Sequence, residues 1–390
     1  MPKTPASELG ARTQKFQTQL AANHLDGALI IQNADLFYFA GTIQQSHLYI
    51  PREGKPILMT RRSFPRAQSE SALNRIVPLS SPRDVPRLLA EYGYPPPKRL
   101  GMELDVLPAN AYLGYREIFR DATVVDASSL IRRVRAVKSA YELKRIRRAA
   151  LIAEKTFQAM PKFLVEGISE IALAGKLEAI ARGLGHQGIV KFRLWNNDLF
   201  YGHLLAGKNA THASYVSSPT GGRGINPAIA QGVSQYRIKR GEPVLFDYTF
   251  ATDGYVVDQA RIFSIGKLPD KLVHAHEAML EVQDAVAHVA SPGITGDEIF
   301  KLAMKIVDRH GYSENFMGLD KDRVTFVGHG VGIELDEYPF LAKGQTMALE
   351  AGMVIAIEPK VSLVNLGTVG IENTFVVTER GGKKITRGSD

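Results

Sequence analysis

The sequence predicts an α+β protein with two domains, the first of which has an α/β pattern. Over the first ~135 residues, short apolar runs alternate with segments of helical periodicity. A capping-box pattern, Ser139 with Glu142 three residues later, then opens a long helical stretch. A weak internal repeat follows, because the segment led by Gly167 resembles the segment led by Gly293. Two related halves would enclose a cleft, and chance similarity of two helices that follow glycine remains the alternative.

The elements of the first domain follow from the apolar runs. Residues 9–22 have helical spacing, and residues 27–31 are typical of a buried strand. Three further runs predict short strands: 56–60, 99–103 and 122–126. No phosphate-binding glycine loop or catalytic cluster lies among them. We predict a domain boundary near Val137, which gives domains 1–137 and 138–390.

Composition excludes several kinds of site. The 390 residues include no cysteine, which rules out disulfides, thiolate metal sites and cysteine nucleophiles. The formal charge of +8 is concentrated in residues 132–148, where eight basic residues accompany one acid. A polyanion-binding patch and a solvated helix face both fit this stretch. We favour the solvated face and expect no nucleic-acid partner, because no aromatic residues alternate with the charges for base stacking.

The amino-terminal residues lack the apolar stretch of a signal peptide, and no apolar run approaches ~18 residues. We therefore expect a cytoplasmic protein without a membrane partner.

A first pair of carboxylates is predicted on a hairpin in the second domain. Strand-like residues 244–250 and 255–263 flank a turn that contains Asp253-Gly254. A four-residue loop would place Asp247 opposite Asp258, on the face away from a core. Opposed like charges destabilise a sheet unless a shared proton or a cation neutralises them.

A second pair lies near the carboxyl terminus. A short loop at residues 364–366 would place Glu358 opposite Glu372. His329 lies between glycines, which leave its imidazole exposed in a cavity. Four carboxylates balance two divalent ions, and oxygen ligands with one nitrogen suit Mn, Co or Zn. Surface carboxylates that align by chance are the alternative for either pair alone.

Together these residues closely resemble the pita-bread metallopeptidases, which include methionine aminopeptidases, aminopeptidase P and prolidases. The matching motifs are the two aspartates eleven residues apart, Gly-His329-Gly-Val-Gly, Ile-Ala-Ile-Glu358-Pro and Gly-Ile-Glu372-Asn. The first domain resembles the creatinase/prolidase type, and residues 138–142 resemble the junction of that group. The resemblance implies a pita-bread catalytic domain with pseudo-twofold halves and favours the Xaa-Pro-cleaving branch.

The resemblance also implies a role for each ligand. Asp247 would bind one metal ion, while Asp258 and Glu372 would bridge both ions. His329 would ligate one ion, and Glu358 would be a ligand that also accepts a proton from the attacking water.

Two positions depart from the pattern of the family. Asp336 stands where these peptidases usually carry a histidine that contacts the peptide, and residues 226–231 contain no second histidine. His203 and His212 are candidate replacements, with a surface role as the alternative for each. The acidic pair Glu334 and Glu337 would either attract a cationic substrate or lie on a solvated loop.

We thus expect a dinuclear metallohydrolase that cleaves Xaa-Pro dipeptides or aminopeptides. The alternatives are a non-peptidase hydrolase or lyase of a small metabolite, and an inactive binding protein. A homodimer is expected by analogy with the family.

Overall fold

The computed structural model describes residues 3–196 and 201–388. The chain divides into two compact units, Met1–Arg135 and Ala136–Asp390. This division falls two residues before the predicted domain boundary, which stays a prediction. Within the described residues, no helix combines the length and apolar character needed to cross a membrane.

The first unit combines six helices and six strands among its described residues. In chain order they are α1 Ala6–Ala22, β1 Gly27–Ile30, α2 Asn33–Ala40, β2 Ser46–Pro51, β3 Ile57–Thr60, α3 Phe64–Glu70, β4 Ile76–Pro78, α4 Val85–Glu91, β5 Arg99–Met102, α5 Ala109–Ile118, β6 Thr123–Asp126 and α6 Ser128–Ala136.

The strands of the first unit form one mixed sheet in the order β4-β3-β2-β1-β5-β6. Strands β1, β5 and β6 run parallel, whereas β2 pairs antiparallel with both β1 and β3. The four strands predicted from apolar runs are confirmed. Strands β2 and β4 were not predicted. Strand β2 begins with the polar pair Ser46-His47, although it is buried throughout.

The second unit carries the predicted second domain. Its elements among the described residues are α7 Ala140–Ala159, α8 Glu170–Gly183, β7 Gly202–Ala206, β8 Val244–Thr252, β9 Tyr255–Phe263, α9 Asp270–Val289, α10 Gly296–Arg309, β10 Phe326–Gly330, β11 Glu337–Ala342, β12 Val354–Ile357, β13 Lys360–Leu363, β14 Gly367–Gly370, β15 Asn373–Thr378 and β16 Gly381–Lys384.

The predicted helix starts are confirmed in this unit. Ser139 caps α7, since its side chain accepts from the Glu142 amide while the Glu142 carboxylate accepts from the Ser139 amide. The repeat is also visible locally. Helices α8 and α10 are both 14 residues long and are capped by Ser169 and Thr295 at equivalent positions.

Three sheets surround the predicted site. Strands β7-β8-β9 form one sheet, β11-β10-β12-β15-β16 form a second, and β13-β14 form a two-stranded ribbon. Phe157 of α7 packs on Phe246 and Phe250, with ring centroids 4.6 Å and 5.7 Å apart. That contact confirms the predicted core face of β8, so the opposite face is left for the carboxylates.

The basic stretch 132–148 is not simply a solvated face. In the first unit Arg135 is buried against Asp35, at 2.6 Å. In the second unit Arg145 and Arg148 contact the turn residue Asp253 at 3.0 Å and 2.9 Å. The preference for a solvated face is therefore wrong for the buried Arg135 and for the largely covered Arg145, whereas Lys144, Arg147 and Arg148 are exposed as expected.

Candidate metal centre

The β8–β9 hairpin has a shorter turn than predicted. Its two turn residues, Asp253 and Gly254, have φ values of 53° and 83°. Two successive positive φ values are typical of a type I′ turn, for which Asp-Gly is a preferred pair. Thr252 consequently pairs with Tyr255, and the predicted four-residue loop is wrong.

Because the turn is shorter than predicted, the two aspartates pair with other residues than expected. Asp247 lies opposite Ala260 and Asp258 lies opposite Thr249, so the predicted direct pairing is wrong by two positions. Because side chains alternate with a period of two, a two-position shift keeps both carboxylates on one face. They are diagonal neighbours on that face.

The second pair has the predicted register. Ile357 pairs with Asn373 on one side of the two glutamates, and β13 and β14 continue the same register on the other side. Glu358 and Glu372 therefore face each other at the junction of two sheets. Both are buried, with 5% and 1% of their surface exposed.

His329 lies on β10, between β11 and β12 of the five-stranded sheet. The flanking residues must be small, since a Cβ on Gly328 would collide with the Ala356 carbonyl oxygen and one on Gly330 with the Tyr338 carbonyl oxygen. These glycines let the strands close around the imidazole, as the sequence predicts.

The structure brings these side chains together. Ligand atoms of Asp258, His329 and Glu372 all lie within 4.8 Å of one another. His329 Nε2 is 3.4 Å from Glu358 Oε1 and 3.9 Å from Asp258 Oδ2. Residues separated by more than a hundred positions in the sequence thus converge on one buried point.

Asp336 orients the imidazole. Its Oδ1 lies 3.2 Å from His329 Nδ1, and the Gly330 carbonyl oxygen is also 3.2 Å from that nitrogen. Both partners are acceptors, so Nδ1 carries a proton, and Nε2 faces the carboxylates, where its lone pair would be available to a bound ion. A carboxylate behind a metal-binding histidine is a common arrangement.

Lys360, which the sequence analysis did not single out, enters the same cluster. Its Nζ donates to Glu358 Oε2 at 2.6 Å and to Glu372 Oε2 at 3.0 Å. It also lies 3.2 Å from Asp247 Oδ2. The signal was available, because side chains two apart in an extended segment share a face and Lys360 follows Glu358 by two.

The charges within the cluster shift the pKa of each member. Burial and the charge of Asp247 raise the pKa of Asp258 to about 7. Burial, followed by the charge of Asp258, raises the pKa of Glu372 well above its usual range. Burial alone would also raise the pKa of Glu358, but Lys360 and His329 outweigh it and lower the value to about 2. Glu358 is therefore the carboxylate best held in its ionised form.

The donor set fits a divalent cation. Glu372 Oε1 is buried, and no described residue donates a hydrogen bond to it. An acceptor that is buried without a partner is costly unless an ion or water satisfies it. Asp258, His329, Glu358 and Glu372 would hold the ion, and carboxylate and imidazole ligands suit Mn, Co or Zn.

A cavity opens beside this cluster. Its wall includes His203, Gln231, Asp336 and the hydrophobic side chains of Phe192 and Leu335. An apolar lining with a few polar groups is typical of small-molecule sites.

The three residues predicted to contact substrate lie in different places. His203 is buried on the cavity wall, where its ring nitrogens contact Thr220 and Gln231 at 3.1 Å and 3.2 Å. The surface alternative for His203 is therefore wrong. Asp336 also lines the cavity. His212 is not among the described residues that line the cavity. Arg223 donates a hydrogen bond to its Nε2, and its Nδ1 lies close to the Lys208 carbonyl oxygen.

The acidic pair beyond His329 is buried rather than solvated. Glu337 pairs with Lys138 at 3.0 Å, and Glu334 lies 3.5 Å from Arg193. Both expectations for Glu334 and Glu337 are wrong, because each carboxylate has a buried basic partner far away in the sequence.

Comparisons with known proteins agree with this arrangement. The model of the metallopeptidase family M24 matches residues 144–379, and that of the creatinase/prolidase N-terminal domain matches residues 12–137. An uncharacterized peptidase of Bacillus subtilis (strain 168), YqhT, is 30% identical over 74% of this chain and 73% of its own length. The Xaa-Pro dipeptidase of Pyrococcus horikoshii is 28% identical over 97% of both chains.

Solved structures show the same fold. The Xaa-Pro dipeptidase from Bacillus anthracis superimposes with a TM-score of 0.82 at 24% identity, covering 98% of both chains. The prolidase from Pyrococcus horikoshii OT3 gives 0.80 at 25% identity, covering 97% of this chain and 99% of its own. These likenesses confirm the predicted α+β fold, with a creatinase-type first domain and a pita-bread second domain. With its buried cluster of aspartate, histidine and glutamate side chains in the matched segment, the chain belongs to the metallopeptidase family M24.

Proposed function

We propose that this protein is a metal-dependent hydrolase that cleaves Xaa-Pro peptide bonds, as a dipeptidase or an aminopeptidase. The convergence of Asp258, His329, Glu358 and Glu372 beside a cavity carries the proposal. The names of the similar Xaa-Pro dipeptidases support the substrate class.

The residues of the chain have separate tasks in this reaction. A bound divalent ion would lower the pKa of a water molecule and polarise the scissile carbonyl. Glu358 would accept the proton of the attacking water, because it is ionised at neutral pH and its Oε1 faces the proposed metal position beside His329. Asp336 holds the imidazole of His329 in the tautomer that leaves Nε2 available. The apolar wall beside Phe192 and Leu335 limits access of bulk water.

His203 and Gln231 are the groups we propose for contact with substrate. They touch each other and line the cavity, and Gln231 belongs to the segment where the family usually supplies a histidine. Burial lowers the pKa of His203, so the ring is neutral and can either donate or accept.

The number and identity of the metal ions, the domain bounds, the oligomeric state and the location are further parts of the proposal. By the family resemblance, the five predicted ligands suit two divalent ions, with Mn, Co and Zn as candidates. Domains 1–137 and 138–390, a homodimer and a cytoplasmic location are proposed on the family resemblance. Light scattering of the purified protein tests the dimer.

A panel of Xaa-Pro dipeptides and longer Xaa-Pro peptides, assayed with Mn, Co and Zn, tests the activity. We expect metal-stimulated cleavage of at least one Xaa-Pro substrate and none of matched Xaa-Ala peptides. A protein that binds metal but cleaves no Xaa-Pro substrate would contradict the proposal.

A second candidate is hydrolysis or elimination of a small non-peptide metabolite. One observation favours it: Asp336 is engaged with His329, so the position that usually contacts peptide does not supply a free donor. Under this alternative the metal would still stimulate turnover, but none of the peptides would react.

A further inference from the structure

We propose that Lys360 permanently takes the place of one of the two metal ions, so that the centre binds a single divalent cation through Asp258, His329, Glu358 and Glu372. The inference rests on the proposed metal-dependent function. It changes the expected stoichiometry from two ions to one per chain.

The Nζ atom of Lys360 already lies among three of the predicted carboxylate ligands. It lies 2.6–3.2 Å from oxygens of Glu358, Glu372 and Asp247. Asp247 is the carboxylate expected to bind one ion alone, and Glu372 is expected to bridge. A metal ion would need the same oxygens at about 2.0–2.2 Å. An ion and the ammonium group therefore compete for one space.

The lysine is held in place along its length. Its side chain is 1% exposed, and its backbone oxygen accepts from the Met317 amide at 2.9 Å. Gly370 pairs with Lys360 across the ribbon, and a Cβ there would collide with the Pro359 carbonyl oxygen and approach Lys360 Cγ to 2.8 Å. The glycine therefore lets the two backbones approach closely where the lysine stem leaves the ribbon.

Charge balance favours the same stoichiometry. With a divalent cation bound, metal-binding carboxylates are ionised, so the four carboxylates would carry four negative charges, and a protonated lysine would offset one of them. One divalent cation leaves a single negative charge. Two would leave an excess positive charge, with a like-charged ammonium beside them in a buried site.

The other half of the cluster remains complete for one ion. The two glutamates place their Oε2 atoms on Lys360, whereas Glu358 Oε1 faces His329 and Glu372 Oε1 has no donor among the described residues. Asp258 completes the three-residue group whose ligand atoms lie within 4.8 Å. Each glutamate thus offers one oxygen to the lysine and one to the cation.

Metal stoichiometry of the full chain tests the inference. Protein stripped with a chelator is titrated with Mn²⁺ by calorimetry, and bound Mn is counted by mass spectrometry after dialysis. We expect one Mn²⁺ per chain and the six-line electron paramagnetic resonance spectrum of an isolated ion. Lys360→Ala should bind two Mn²⁺ with an exchange-coupled spectrum. Lys138→Ala, which removes another buried lysine of the second unit, should still bind one.

The outcomes separate this inference from the proposed function. Two coupled ions in the wild-type protein would overturn the inference and leave the metal-dependent function standing. One ion in both the wild type and a folded Lys360→Ala would also overturn it, since the lysine would not set the number. No bound ion in the wild type would overturn both. If Lys360→Ala does not fold, the wild-type count and spectrum decide alone.

Discussion

Asp336 Oδ1 lies 3.2 Å from His329 Nδ1, so an aspartate supports the imidazole from the position where the family usually has a histidine. Asp336 has a φ of 60°, a left-handed conformation that Asp, Asn and Gly tolerate. The backbone at this residue therefore aims its carboxylate at the histidine rather than at the cavity alone.

Replacing this aspartate should weaken metal binding. We expect Asp336→Gly to lower Mn²⁺ affinity by about 10- to 100-fold, the range found for partners behind metal ligands. Asp336→Asn should lose less, since its amide oxygen still accepts from Nδ1. Calorimetric titration gives both affinities. Asp320→Gly is the matched control at an exposed residue with φ of 50°, and an equal loss there would contradict the orienting role.

Loss of a central ligand should have a larger effect. Asp258→Asn removes a charged ligand, and we expect Mn²⁺ affinity and turnover to fall by more than about 100-fold, beyond the effect of outer partners. Asp253→Asn, an equivalent change at the turn of the same hairpin, should leave both nearly intact. Retained metal-dependent turnover in Asp258→Asn would show that the assigned ligand set is wrong.

Replacement of the two candidate histidines should affect KM differently. His203 lines the cavity, whereas both ring nitrogens of His212 are engaged outside the described lining. We expect His203→Ala to raise KM for an Xaa-Pro substrate by about 10-fold, the loss of one hydrogen bond. His212→Ala should change KM less than about 2-fold, within the scatter of surface changes. Steady-state kinetics measure both, and the reverse order would refute the assignment.

The first unit should lose stability in acid through His47. Burial, aided by the charge of Arg61, lowers the pKa of His47 from 6.5 to about 4, and its Nε2 contacts the Tyr115 hydroxyl at 2.6 Å. Between these values the unfolded chain binds a proton that the folded chain does not. The stabilisation is thus complete above pH 6.5 and is lost as the pH falls towards 4.

The size of this effect is about 3 kcal/mol, from 1.36 kcal/mol per pKa unit. Urea unfolding midpoints between pH 4 and 7 measure it. We expect His47→Gln to flatten the slope, and His24→Asn, at an exposed histidine, to keep it. An unchanged slope in His47→Gln would assign the acid sensitivity to other groups.

Much of the fold and the choice of candidate ligands follow from local sequence. Apolar runs predicted β1, β3, β5 and β6, since a buried strand needs a short continuous apolar segment. The caps of α7, α8 and α10 use side chains within three residues of the helix start, so they too can be found locally. The order and residue types of the five predicted ligands indicated the family.

The predicted register of the β8–β9 hairpin was wrong, although the local sequence contains a turn signal. Asp253-Gly254 favours a two-residue turn, but the pairing depends on which residues the turn includes. One different choice of loop length moved every partner by two positions. The predicted ligands nevertheless stayed on one face, because a two-position shift preserves the alternation of the strand.

The sequence by itself determined that this protein has a creatinase-type first domain and a pita-bread second domain, and it predicted a set of oxygen and nitrogen ligands for metal. Only the tertiary structure decided that Lys360 enters the ligand cluster, that Asp336 supports His329 and that Glu334 and Glu337 pair with distant basic residues. The physical reason is that burial and charge pairing arise between segments far apart in the chain. Lys360 follows Glu358 by two residues, but its charge reaches Asp247 and Glu372 only because the fold brings those distant segments beside it.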